Sequence, residues 1–250
     1  PNAEGFAYQA SGGSVLGPFT AAGAILMPPN APTRITVAPL TVSGTTATGT
    51  LVSMPGGFDG QLAFTGGGVS GSLRFDRAGA VQRITAALTA RDARFAGPPQ
   101  TTIRRLSING AVLLDPAGLG VDARVTARGV RRGGLTVGRL SADVDMKGGT
   151  GTVVVSAAGR RGKAFALQGT AQVAPERIAI TGGGTIERQR LKLDSAAVLT
   201  REGGAWRLAP TALSFNGGTA RVSGRFGEGA NAVDATLERM PLSILDLVSP

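Results

Sequence analysis

Residues 140–147 read Leu-Ser-Ala-Asp-Val-Asp-Met-Lys and alternate strictly between apolar and polar side chains. Successive side chains of a β-strand point to opposite faces of a sheet, so this alternation predicts a strand with one apolar and one polar side. The same period of two recurs in residues 121–128, 165–173, 191–200 and 221–226. The sequence therefore predicts an all-β protein whose strands each present one apolar face.

Glycine pairs and triplets separate the alternating segments at steady intervals. They stand at residues 56–57, 66–68, 133–134, 148–149, 182–184, 203–204 and 217–218. Glycine adopts the positive φ that tight hairpin turns need, so each of these sites, Gly182-Gly183-Gly184 included, is interpreted as a turn between antiparallel strands. At the usual spacing of strand plus turn, we expect roughly 16 to 20 strands. The pattern predicts one long, curled antiparallel sheet, a groove-like meander in which residues 1–250 form a single elongated segment.

Three segments depart from the regular alternation. Residues 80–95 fit helical as well as strand spacing, and a strand is favoured because residues 84–89 also alternate. Residues 27–32, Met-Pro-Pro-Asn-Ala-Pro, predict a loop that sets a loosely structured N-terminal hairpin region, residues 1–35, apart from the main meander. Residues 241–248 predict a short C-terminal apolar helix with proline at its first position.

The chain of 250 residues contains neither cysteine nor histidine. It therefore lacks the side chains for a histidine-based triad, a cysteine nucleophile, a Cys/His zinc site or a disulfide. The carboxylates of Asp115, Asp143, Asp145 and Asp194 are interpreted as surface or turn groups, because no recognisable acid–base site surrounds them in the sequence. We expect no enzymatic activity, no cofactor and no metal.

The charge of the chain is strongly positive, with 26 Lys and Arg against 16 Asp and Glu, a net charge of +10. Such a surface attracts the phosphates of nucleic acids or of anionic lipid headgroups, although an Ala-, Gly- and Arg-rich composition also arises from GC-rich coding alone. The arginines are dispersed and aromatic residues make up only 4% of the chain, so neither a basic recognition helix nor a stacking platform is present. We expect no nucleic-acid partner.

The apolar faces of the strands permit two arrangements. A filled core requires bulky side chains at close-packed density, and the chain supplies only nine Phe, one Trp and one Tyr. The second arrangement is an open groove, in which the apolar side chains line a trough suited to acyl chains. The predicted lining residues of that groove are Leu140, Val144, Phe165, Leu167, Ile178, Ile180, Leu191, Leu193, Leu213, Phe215, Val222 and Phe226. Most apolar faces are cores, so composition leaves both arrangements open. Trp206, which alternates with Leu208, is interpreted as packing and not as an interfacial anchor.

Four stretches resemble segments from the central region of the TamB translocation-and-assembly family, which belongs to the AsmA-like, bridge-type lipid-transfer proteins. They are GLTVGRLSADVDMKG at residues 134–148, GAWRLAPTAL at 204–213, GGTARVSGRF at 217–226 and MPLSILDL at 240–247. These stretches are degenerate strand-and-turn texts, and the resemblance comes from their order over roughly residues 100 to 250. The first hundred residues are similar in style only.

The resemblance implies the periplasmic portion of an inner-membrane-anchored protein in a Gram-negative bacterium. Its β-groove would conduct phospholipids between the inner and outer membranes and support outer-membrane protein assembly. It also implies an outer-membrane partner, a barrel protein of the Omp85 type similar to TamA, bound through parts of the parent protein outside this chain. Acyl chains would lie in the groove at about 0.8 kcal/mol per buried CH₂, with headgroups near arginines. The alternative is a structural or adhesion module, similar to an autotransporter passenger, with a closed core and no lipid cargo.

Overall fold

The computed structural model describes residues 5–227 and 231–240, and every regular element in those ranges is a β-strand. The strands are β1 (Gly5–Ser14), β2 (Gly17–Leu26), β3 (Arg34–Val42), β4 (Thr45–Met54), β5 (Gly57–Gly66), β6 (Val69–Ala78), β7 (Val81–Phe95), β8 (Thr101–Asp115), β9 (Gly118–Arg132), β10 (Leu135–Lys147), β11 (Thr150–Arg161), β12 (Lys163–Ala174), β13 (Arg177–Ile186), β14 (Gln189–Leu193), β15 (Ala197–Glu202), β16 (Ala205–Phe215), β17 (Gly218–Phe226) and β18 (Ala232–Glu238). The all-β prediction is confirmed. The helix predicted over residues 241–248 lies outside the described residues.

The strands belong to two compact units, Pro1–Gly133 and Gly134–Pro250. In the first unit, β1 to β8 each pair antiparallel with the next strand along the chain. In the second unit, β10 to β13, β16 and β17 do the same, while the short strands β14 and β15 share the place between β13 and β16. These pairings confirm the antiparallel meander and are the opposite of the parallel coils of a β-solenoid. The prediction of a single elongated segment concerns the relation between the units and stays a prediction.

The prediction of a turn at Gly182-Gly183-Gly184 is wrong, because these residues lie inside β13. The backbone of β12 approaches β13 so closely here that a Cβ on Gly182 would lie 2.4 Å from the carbonyl oxygen of Gln168. Glycine is needed for that close approach, since any side chain would push the two strands apart. The turn follows at Glu187-Arg188, where both residues have positive φ angles of 48° and 67°.

Other turns and segments that the sequence predicted lie where they were expected. Gly148-Gly149 and Gly203-Gly204 form hairpin turns with positive φ at both positions. The ambiguous segment 80–95 is the strand β7, and residues 27–33 form the loop between β2 and β3. Beyond that loop β2 and β3 pair over most of their length, so the N-terminal hairpin β1–β2 continues into the meander.

Buried side chains are few and mostly small. Only three large apolar side chains of the described ranges are buried, namely Ile186, Phe215 and Met240. They pack together with Ala220, and partly buried neighbours surround them. This cluster, which we call the end cluster, is formed where β13 and β16 end and β17 begins, and it is the main packed core of the second unit.

Candidate functional site: the apolar face of the second unit

Cross-strand register gathers the predicted lining residues on one side of the sheet. Residues directly opposite each other on neighbouring antiparallel strands point to the same face. One row of such residues runs Leu140, Ala157, Leu167, Gly184, Leu191 and Phe215, and a second runs Val144, Val153, Ala171 and Ile180. The other predicted residues are Phe165, Ile178, Leu193, Leu213, Val222 and Phe226, and the same register places them on this face. All twelve therefore share one surface, which we call the apolar face.

A β-bulge in β16 makes this arrangement possible. Leu208 lies opposite Gly224 and Thr211 lies opposite Val222. Between these two pairs β16 advances by three residues while β17 advances by two. The extra residue lies at Ala209-Pro210, where proline has no N–H to contribute to the ladder. Without the bulge, Leu208 and Leu213 would point to opposite faces because they are five residues apart. The sequence indicates this bulge, because the apolar residues occupy even positions before Pro210, at Trp206 and Leu208, and odd positions after it, at Leu213 and Phe215.

The middle of the apolar face is open. Val155 in β11 and Leu167 in β12 lie near the centres of their strands, yet 37% and 38% of their surfaces are exposed. In a filled core, central positions of an apolar face are the most deeply buried. Around them the face is floored by small residues, since Gly169 lies directly opposite Val155 and Gly182 lies opposite Gly169. The face is thus packed at the end cluster and uncovered at its centre.

The opposite face of the same strands is polar and hydrogen-bonded along its surface. The hydroxyls of Ser141 and Ser156 lie 2.9 Å apart across β10 and β11, and Thr152 donates to the Gln172 side chain at 3.1 Å. Val154, the neighbour of Val155, lies on this side and is 46% exposed. The adjacent residues Val154 and Val155 of β11 therefore lie on opposite faces of the sheet and are exposed to a similar extent.

Basic side chains mark both margins of the apolar face. Arg161 lies opposite Leu135 and Lys163, at the strand ends near the end cluster. At the other strand ends, Arg201 lies opposite Trp206, which itself lies opposite Phe226. Trp206 is half-buried. The surface is consequently apolar in the middle and positively charged at its rims.

The first unit has an apolar face of its own that the sequence analysis did not single out. Its rows include Ile35 opposite Leu51, and Leu62 opposite Leu73. Phe58 and Leu114 on this face are more than a third exposed. The alternation of residues 34–37 indicates this face in the sequence. The predicted lining residues were nevertheless all taken from the second half of the chain, because the family resemblance begins near residue 100.

Among the carboxylates interpreted from the sequence as surface or turn groups, Asp115 and Asp194 accept hydrogen bonds within the protein. Asp115 accepts the N–H of Ala117 at 2.8 Å in the turn between β8 and β9, and Asp194 accepts the hydroxyl of Ser214. Across residues 5–227 and 231–240, no group of three acidic side chains is placed to hold a metal ion, and no helix has the length and apolarity to cross a membrane.

Comparisons with known proteins leave the geometry as the main guide to function. No protein-family model, curated protein or solved structure matches this chain. The family resemblance of the sequence therefore stays a prediction. The open apolar face with charged rims is the feature from which a function can be argued.

Proposed function

We propose that the apolar face binds phospholipid acyl chains, and that the chain is a periplasmic segment of an inner-membrane-anchored, TamB-like protein that conducts phospholipids between the two membranes of a Gram-negative bacterium. The observation that carries this proposal is the exposure of Val155 and Leu167 at the centre of the face. Support of outer-membrane protein assembly, through a TamA-like barrel partner bound by other parts of the parent protein, rests on the sequence resemblance alone.

Binding would be driven by removal of apolar surface from water. An acyl chain lying over Val155 and Leu167 would contribute about 0.8 kcal/mol for each CH₂ group buried, and the side chains beneath it would gain as well. The floor of Gly169 and Gly182 offers no polar group to fix the chain at one place. A smooth apolar surface of this kind holds a lipid without locking its position, which conduction requires.

Charge at the rims matches the chemistry of a phospholipid. Arg161 and Lys163 at one margin and Arg201 at the other lie at strand ends, while the apolar residues lie between them. Guanidinium and ammonium groups at these positions attract lipid phosphates, which stay at the water boundary while acyl chains occupy the face. The order of apolar centre and basic margin thus follows the order of acyl chain and headgroup.

Paired valines of β11 provide the decisive experiment. The chain is purified from a bacterial periplasm with a photocrosslinking amino acid at position 155 or at position 154, irradiated, and analysed by mass spectrometry for attached phospholipid. We expect lipid adducts at Val155, on the apolar face, and none at Val154, which is at least as exposed but lies on the polar face.

Arginine substitutions at the same pair give the second arm. Val155→Arg places a charge on the acyl path, so native mass spectrometry with lipid extraction should show loss of copurified phospholipid, while Val154→Arg should retain it. Equal adducts at both positions, or a lipid-free chain with no adduct at Val155, would overturn the proposal. The lipid-free result would favour the structural or adhesion module instead.

A further inference from the structure

The ends of β7, β8 and β9 in the first unit bring an unusual number of arginines together. Arg91 lies directly opposite Arg105, and Arg105 directly opposite Arg128. Opposed residues on neighbouring strands have Cβ atoms about 5 Å apart, and like charges in that position destabilise a sheet. All three side chains are exposed. An anion bound near this row would offset the repulsion between the three arginines.

The neighbouring row of the sheet is distorted. Asp92, Arg104 and Gly129 face one another there but do not enter the regular pairing. Asp92 and Gly129 have positive φ angles of 49° and 64°. A Cβ on Gly129 would lie 2.6 Å from Cδ of Arg104 and 2.9 Å from its Cγ, so the stem of Arg104 lies across the bare backbone of β9. Gly129 therefore sets the direction of the Arg104 side chain.

A cavity of about 270 Å³ lies beside this distortion, and three of its lining residues are Arg94, Arg104 and Arg131. Arg94 and Arg131 flank Thr102 from the two neighbouring strands, because each lies directly opposite it. Thr102 and Gln100 also line the cavity and add a hydroxyl and an amide. The volume lies just below that of drug-sized ligand sites, which run from roughly 300 to 1,000 Å³, so the cavity suits a small anion.

Charge at this place is not balanced by the protein. Asp92 is the acidic residue among those that line the cavity. Within the described part of the chain, Asp92 forms no ion pair, and neither do the arginines of the cavity or of the exposed row, which are Arg94, Arg104, Arg131, Arg91, Arg105 and Arg128. Arginines elsewhere do find partners, as Arg74 does with Asp76 at 3.3 Å and Arg207 with Glu202 at 3.5 Å. Guanidinium groups bind phosphate oxygens through two parallel hydrogen bonds, which is the contact that these unpaired groups can offer.

We propose that the cavity lined by Arg94, Arg104 and Arg131 binds a phosphate group, with the row of Arg91, Arg105 and Arg128 adding long-range attraction. The phosphate belongs either to a lipid headgroup or to a small soluble phosphate, and both present the same anionic oxygens. This site lies in the first unit and does not depend on lipid binding by the second unit. Its failure and that of the proposed function are therefore separable.

Binding is tested with three probes on the whole chain at low and at physiological ionic strength: inorganic phosphate, glycerol 3-phosphate, and vesicles of phosphatidylglycerol in phosphatidylcholine. Arg104→Gln and Arg131→Gln should each weaken binding on the order of tenfold, because each removes a bidentate partner. The matched control is Arg74→Gln, which removes the same charge from an exposed strand position in the same unit. Gly129→Ala keeps all charges but displaces Arg104, so it should weaken binding as well.

The two sources of phosphate give different outcomes. Binding of inorganic phosphate and glycerol 3-phosphate would assign the site to small phosphates, whereas binding of vesicles alone would assign it to headgroups, and each result supports the site. Thermal unfolding of every variant checks that the fold is intact. Equal loss with Arg74→Gln and Arg131→Gln would show attraction to net charge only, and absence of binding to all three probes would likewise overturn the proposal.

Discussion

Leu167 and Phe215 lie in one cross-strand row of the second unit, joined through Gly184 and Leu191, yet Phe215 is 3% exposed and Leu167 is 38% exposed. The row thus passes from a packed end to an open centre within four strands. Stability and lipid binding should accordingly depend on different residues of the same face. This separation makes the apolar face testable, because its open part can be changed without unfolding the unit.

The first prediction concerns that separation. Phe215→Ala should lower the free energy of unfolding by about 3–5 kcal/mol, because it leaves a cavity inside the end cluster. Leu167→Ala should cost clearly less, about 1–2 kcal/mol, since more than a third of that residue already faces solvent. Urea denaturation followed by circular dichroism measures both. Equal costs for the two variants would mean that Leu167 is covered in solution and that the face is a filled core.

The second prediction concerns the glycine floor of β12 and β13. Gly169 and Gly182 lie directly opposite each other, but a Cβ at Gly182 would lie 2.4 Å from the Gln168 carbonyl oxygen, whereas at Gly169 the nearest atom, the Thr181 carbonyl oxygen, is 3.2 Å away. Gly182→Ala should therefore destabilise the unit by about 1–3 kcal/mol, the usual cost of overpacking. Gly169→Ala is the matched control and should cost clearly less. Chemical denaturation compares them, and an equal cost would contradict the close approach of the two strands.

Period-two alternation predicts the strands well because it is a local property of the chain. Residues 140–147 form the end of β10 as their pattern requires, and the number of strands falls in the expected range. Gly182-Gly183-Gly184 could not be interpreted correctly from local sequence. A glycine that permits a turn and one that permits a close neighbour look alike until the neighbouring strand is known.

Site residues show the same limit. Alternation places Leu140 and Val144 on one face, but the bulge at Ala209-Pro210 decides whether Leu213 joins them. Openness is less local still, since the exposure of Leu167 depends on whether any other part of the chain covers it. The sequence could therefore nominate the face, but it left open whether that face is covered.

The third prediction concerns Gln82, a polar side chain that is only 6% exposed. Its Oε1 accepts the N–H of Phe58, and its Nε2 donates to the carbonyl oxygens of Asp76 at 2.8 Å and of Arg83 at 2.9 Å. Gln82→Ala would remove the three hydrogen bonds that this buried side chain makes to the backbone, at a cost of about 1–3 kcal/mol.

Gln61 is the control for that substitution. It is exposed on β5 of the same unit, so Gln61→Ala should change stability by less than about 0.5 kcal/mol. Urea denaturation of both variants is the measurement. If Gln82→Ala unfolds at the wild-type urea concentration, the three hydrogen bonds do not hold this part of the first unit together.

The fourth prediction concerns the turn at Glu187-Arg188, where two side-chain-bearing residues adopt positive φ. The left-handed conformation costs a non-glycine residue roughly 1–2 kcal/mol. Replacing that residue by glycine removes this cost, but about half of the gain is lost because glycine has a greater conformational entropy in the unfolded state. Arg188 is exposed, with φ of 67°, so Arg188→Gly should stabilise the second unit by about 0.5–1 kcal/mol. The reverse change at Gly203→Ala, where φ is 56° and an added Cβ would meet no atom within 4 Å, should destabilise it by a similar amount. Thermal and urea unfolding measure both shifts. Opposite signs are expected because both positions have a positive φ, and one substitution introduces glycine there while the other removes it. A destabilising Arg188→Gly would show instead that the arginine side chain contributes to the turn.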